Sequence, residues 1–178
     1  FEKIARPRER IHCSSKGLRM VDRFVNLHNH DTYSFLDGLG MVDDMVAHVA
    51  ELGQEFLGQT NHGNISGMFK FVAACKRHSI KPIIGCELYC VDKIEKVKGE
   101  RRYHLLALCM NITGYYSLVR LLNLANQEDH FYYRPRLAWK EIIQDGCEGL
   151  AFSTACVSGM CAHPKSELLF KVFSETFG

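Results

Sequence analysis

Apolar and polar positions along the chain change period repeatedly, from two to about three and a half and back. Residues 24–30, FVNLHNH, set like side chains two apart, the period of an extended strand. In MVDDMVAHVAELG, Met41, Val42, Met45, Val46, Val49 and Leu52 recur at helical spacing, and Gly53 is placed to end the helix. EFLGQTNHGN reads as strand and turn. Asn64 is placed to cap a helix over ISGMFKFVAACKRHS, with Met68, Phe69, Val72 and Cys75 as its apolar stripe. A mostly apolar strand, IKPIIGCELYCV, precedes the charged loop DKIEKVKGERR, whose alternating signs suggest a solvated hairpin, and then the strand YHLLALCM. A helix in TGYYSLVRLLNLANQ, an aromatic loop HFYYRPR, a helix in LAWKEIIQDG, the strand GLAFST and a helix in SELLFKVFSETFG follow. Strand alternating with helix, and strands apolar nearly throughout, predict an α/β architecture with a parallel sheet and helices outside it.

Composition is that of an ordinary globular domain, long enough at 178 residues to bury a core. No window is apolar enough to span a membrane, and the charged start lacks the apolar region of a signal peptide. The eight cysteines include no C-x-x-C, and several lie inside apolar runs, so they read as reduced thiols of a cytoplasmic protein. The first 23 residues carry seven Lys or Arg against three acids, within a net charge of +2, so the remainder is slightly acidic. Charge therefore gives the globular part no case for nucleic-acid binding. Residues 1–22 read as a basic extension, either disordered or upstream of a native start at Met20.

Candidate chemistry begins with His28 and His30. On an extended segment both imidazoles leave one face, and Asp37, returned by the turn that Asp-Gly favours, adds an oxygen ligand. A metal site and a pair of hydrogen-bonded surface histidines both fit that pattern. His62, Glu87 and Cys156 follow strands, where a barrel of parallel strands gathers its functional loops. His104 opens its strand, against that rule. Taken singly, His62 reads as a turn histidine, Glu87 as a solvated strand end and Cys156 as a small buried apolar residue. Arg134 and Arg136, flanked by Tyr132 and Tyr133, fit phosphate pairing and base stacking, or a loop packed onto the fold by its aromatics.

The stretches FVNLHNHDTYSFLDG, TNHGNISG, CKRHSIKPIIGCELY, HLLAL, NITGYYSLVRLLNLA, FYYRPRL and EGLAFSTACVSG occur in order from about Arg23 to Gly159. Together they resemble the N-terminal polymerase-and-histidinol-phosphatase (PHP) domain of bacterial DNA polymerase III alpha subunits. A histidinol phosphatase would share the H-x-H and the later His but not KPIIGCELY, YYRPR or TACVSG. The resemblance implies a distorted barrel of seven βα units with metals at one mouth, and ligands at His28, His30, Asp37, His62, Glu87, His104 and Cys156. The family's last two ligands, an Asp-x-His pair, would lie beyond Gly178, so residues 23–178 read as a PHP domain without its last βα units. Where the family has T-D-H-G, this chain has Asn61; a carboxylate beside a metal-bound His raises its basicity and anchors its ring, whereas Asn supplies no charge. Two or three divalent ions are implied, zinc or manganese by the mixed nitrogen, oxygen and sulfur donors, with magnesium also admissible. The implied activity is metal-dependent phosphodiester hydrolysis, as 3′→5′ exonucleolytic proofreading coupled to DNA synthesis by the parent chain. Clustered divalent ions would acidify a water and polarise the phosphate. The implied partners are a primer 3′ end, other polymerase domains and replisome subunits. The alternatives are a non-catalytic, metal-stabilised scaffold and a stand-alone phosphoesterase.

Overall fold

A computed structural model describes residues 24–145 and 147–177; the expected extension and the start at Met20 lie outside them. Five strands, β1 (Phe56–Gln59), β2 (Lys81–Val91), β3 (Tyr103–Cys109), β4 (Arg136–Ala138) and β5 (Leu150–Thr154), form one sheet. Five helices accompany them: α1 (Val42–Glu51), α2 (Met68–His78), α3 (Ile112–Ala125), α4 (Trp139–Asp145) and α5 (Ser166–Phe177). The sheet runs β1-β2-β3-β5, with β4 also on β2.

The expected parallel sheet is mixed. β1 and β4 are parallel to β2, but β3 is antiparallel to both β2 and β5, so β3 alone runs against the others. The link from Val91 to Tyr103 is charged and carries no apolar helical stripe that could pack a crossover helix on the sheet, so the chain turns straight back. The reversal explains His104. Entering an antiparallel strand, it sits opposite Tyr89 near the end of β2, at the end of the sheet where the parallel strands finish.

Two apolar clusters hold these elements. One joins β2, β3 and β5 to α3, α4 and α5 around Leu88, Leu105, Leu118, Leu121, Ile142 and Phe173; the other joins α1, α2 and β1 around Val46, Leu57, Phe71 and Ala74. Each fully buried leucine contributes about 1.5–3 kcal/mol. α3 begins at Asn111, whose side chain accepts the Gly114 N–H at 3.0 Å. Gly53 has φ +69° just past α1, as its position predicts.

α2 differs from its expected form in two ways. Its buried face is Phe71, Ala74 and Cys75, while Phe69 and Val72 point outward. The helix also starts at Met68 instead of after Asn64, whose carboxamide accepts the Ser66 N–H and donates to the Tyr33 and His62 carbonyls. Asn64 thus pins a turn. β4, three residues that periodicity cannot register, spans the end of the aromatic loop and the first two residues of the helix expected over LAWKEIIQDG, which starts at Trp139. Among the described residues no helix is long and apolar enough to cross a membrane, and the seven described cysteines are free thiols.

Candidate metal centre

The segment carrying His28 and His30 lies along β1 without being a regular strand. Asn26 bridges Leu57, the Gly58 N–H donates to the Asn26 carbonyl at 2.8 Å, and the Thr60 N–H donates to that of Asn29 at 3.0 Å. Alternation at period two then puts both histidines on one face, with their Nε2 atoms 3.0 Å apart. The next turn is closed by the Ser34 carbonyl, which accepts the Asp37 and Gly38 N–H groups at 2.9 Å. A Cβ on Gly38 would lie 1.9 Å from the Asp31 carbonyl oxygen, so only glycine lets the chain fold back here. This fold brings Asp37 Oδ2 to 3.1 Å from His62 Nε2.

Glu87, on β2, is the centre of the group and is 1% exposed. Its Oε1 lies 3.3 Å from His28 Nε2 and 2.9 Å from His104 Nδ1; its Oε2 lies 3.0 Å from His30 Nε2 and 2.9 Å from His62 Nδ1. Burial is the strongest single influence on this carboxyl and opposes its charge. The contacts with His104, His30 and His62 together outweigh it and hold the carboxyl well below the usual carboxylate range. Despite these distances, both Glu87 oxygens and His62 Nδ1 are buried without a hydrogen bond.

A buried carboxylate faced by ring nitrogens that do not hydrogen-bond to it is a donor set that a divalent cation satisfies. Three overlapping trios have ligand atoms within 4.8 Å of one another: His28, His30 and Glu87; His30, Asp37 and His62; His62, Glu87 and His104. Two donors about 2.0–2.3 Å from one ion stand at most about 4.6 Å apart, and the histidine–carboxylate pairs here, at 2.9–3.3 Å, lie inside that span. Cys156 lies at the rim, exposed, with Sγ 3.3 Å from His104 Nδ1 and outside all three trios. Six of the seven expected ligands thus converge directly, and the seventh touches the group through His104.

Sequence reading missed the support around the donors. Tyr89 stacks on the His62 ring at 5.5 Å and meets His104 edge-on. Ser34 Oγ lies 2.9 Å from His30 Nδ1, at the i+4 spacing that could have flagged it. Asn61 was expected to sustain His62; its carboxamide instead bonds Asp31 and Ser34, so it reaches the centre through His30. The Arg136 reading is corrected outright. Its side chain is fully buried, bonded to Glu100 and to the Glu95 and His130 carbonyls and packed against Tyr132, so it cannot reach a phosphate. Arg134 is exposed, with its guanidinium 5.9 Å from the Tyr89 ring at the mouth of the group.

A profile for the PHP domain matches residues 26–174, and the chain belongs to the PHP domain family. Within that class it is similar to DNA polymerase III alpha subunits: 41% identical over 141 residues to that of Treponema pallidum, and 34% over 171 residues to that of Borreliella burgdorferi. These alignments take in 76% and 87% of this chain but 12% and 15% of the relatives, so the chain spans only a small part of their length. Among solved structures, an amidohydrolase from Chromobacterium violaceum overlaps 57% of this chain and 32% of its own, with 19% identity and a TM-score of 0.41.

Proposed function

We propose that this centre binds two or three divalent ions and hydrolyses phosphodiester bonds at the 3′ end of a DNA strand, as a proofreading site within a replicative polymerase. The observation that carries the reading is Glu87: a buried carboxylate, both oxygens free of hydrogen bonds, faced by four imidazoles from three separate segments. The similarity to polymerase alpha subunits supports DNA as the substrate, with the other polymerase domains and replisome subunits as partners.

His28, His30 and Glu87 would hold one ion and His62, Glu87 and His104 a second, with Cys156 adding sulfur beside His104; Asp37, which groups with His30 and His62, would add an oxygen beside them, since each neutral imidazole offers one lone pair. The mixed donor set suits zinc or manganese. Divalent ions bound there supply Lewis acidity toward a phosphate and lower the pKa of water from about 15.7 toward about 7. Asp37 Oδ2, at the exposed side of the group, is placed to accept a proton. Arg134, over Tyr89, is placed to pair with the phosphate of an entering strand.

Elemental analysis of the dialysed chain should find divalent metal, and the polymerase carrying this domain should shorten a frayed primer 3′ end one nucleotide at a time in manganese or zinc. His30→Ala should abolish shortening and lower the metal content, since His62, Glu87 and His104 remain to hold an ion. Metal uptake without shortening in either protein would reduce the domain to a metal-stabilised scaffold. Shortening that survives in the variant at the original rate would assign the activity to another site.

A further inference from the structure

A chain of hydrogen bonds with a fixed direction runs behind His30. It begins at a group whose role is unambiguous: the backbone N–H of Asp31, which can only donate, and which reaches Asn61 Oδ1 at 3.0 Å. The Asn61 carboxamide is therefore oriented, with Nδ2 donating to Asp31 Oδ1 at 2.8 Å. Ser34 Oγ, 2.8 Å from Asn61 Oδ1, must donate its one hydrogen there. Its lone pairs are left to accept the His62 backbone N–H at 3.1 Å and His30 Nδ1 at 2.9 Å. Nδ1 of His30 must then carry a ring proton, which leaves Nε2, facing Glu87 and His28, as the ring atom for a metal.

Behind this relay lies Asp31, 3% exposed. Its Oδ1 also accepts the Tyr33 N–H at 2.8 Å, and its Oδ2 accepts Gln59 Nε2. No cation is among these partners.

We propose that Asp31 is a positioning residue: through Asn61 and Ser34 it holds His30 in the Nδ1–H form and supplies the negative charge behind that ligand. The inference rests on the metal-centre reading above for its purpose, though the relay itself does not need metal. It reverses the simple expectation for residue 61. Asn61→Asp would set a carboxylate oxygen 2.8 Å from Asp31 Oδ1 in a buried site, where neither can donate. The charge has its place at residue 31, and the amide at residue 61 is its necessary partner.

The test uses the 178-residue chain with ring-nitrogen NMR on the metal-free protein and zinc competition against a chelator. Wild type should show His30 with a protonated Nδ1. Asp31→Asn preserves every bond once Gln59 turns its amide over, so it should keep that tautomer while lowering zinc affinity about tenfold or more, because only the charge is lost. Asn61→Asp should bind zinc more weakly than wild type. Adding Asp31→Ser, whose hydroxyl can accept from the Tyr33 N–H and donate to the new carboxylate, should recover most of the loss. A bare Nδ1 on His30 in the metal-free wild type would overturn the relay, as would Asn61→Asp binding zinc more tightly, or undiminished affinity in Asp31→Asn. A chain that took up no zinc would defeat the metal-centre reading, while the tautomer would still decide the relay.

Discussion

Glu87 shows how much one residue contributes when burial and neighbours act together. Its strand position gives it almost no exposure, and its oxygens face four imidazoles without a hydrogen bond, so a bound cation would be worth more here than at a surface carboxylate. The expected consequence is stability linked to metal. At free zinc about 100 times its Kd, the wild-type chain should gain about 2.7 kcal/mol of unfolding free energy, read as a rise in melting temperature. Glu87→Gln keeps the shape and removes the charge shared by two of the three trios, so zinc should shift its melting temperature by less than a quarter of the wild-type amount. An unchanged zinc shift in Glu87→Gln would show that metal binds elsewhere. The histidines and Asp37 were legible as ligand-type residues at suggestive spacing. Ser34, Asp31 and Tyr89 were not, because a hydroxyl, an acid and a ring acquire such roles only through what they touch.

Between β3 and β4 the same principle works on whole elements. The antiparallel return of β3 brings His104 to the ligand end of the sheet, and β4 exists as a strand because Arg136 anchors it. That guanidinium is fully buried among Glu100, the Glu95 carbonyl and the His130 carbonyl, tying β4 to the β2–β3 loop. Arg136→Met should leave the partly buried Glu100 carboxylate and the Glu95 and His130 carbonyls without their donor and cost about 1–3 kcal/mol in urea unfolding. Arg134→Ala, two residues away and exposed, should change stability by less than about 0.5 kcal/mol. It should weaken single-stranded DNA binding and reduce the salt dependence of that binding by about one unit of slope. Equal stability losses in the two variants would contradict this division. Arg-Pro-Arg in the sequence offers two similar cations; only their surroundings separate a structural anchor from a surface contact.

At the scale of the whole molecule, the path of strands ends at β5, whose second edge pairs with no strand among the described residues. Phe170 and Leu168 on the neighbouring α5 are also exposed. An open edge beside apolar side chains templates association, so the chain should self-associate with rising concentration in sedimentation experiments. Ser153→Lys, an exposed position on β5, should suppress that association while leaving the unfolding free energy within about 0.5 kcal/mol. Association undiminished in Ser153→Lys would place the contact on another face. Periodicity determined most of the elements and their order, since burial on one face leaves its mark every two residues in a strand and every three or four in a helix. Ordered motifs determined the family, and the H-x-H spacing determined that two imidazoles share a face. The direction of β3, the inward face of α2, the burial of Arg136 and the direction of the hydrogen bonds from Asp31 to His30 were decided only in three dimensions. Each depends on which distant groups come within about 3 Å, and a local pattern of apolar and polar residues does not encode such contacts.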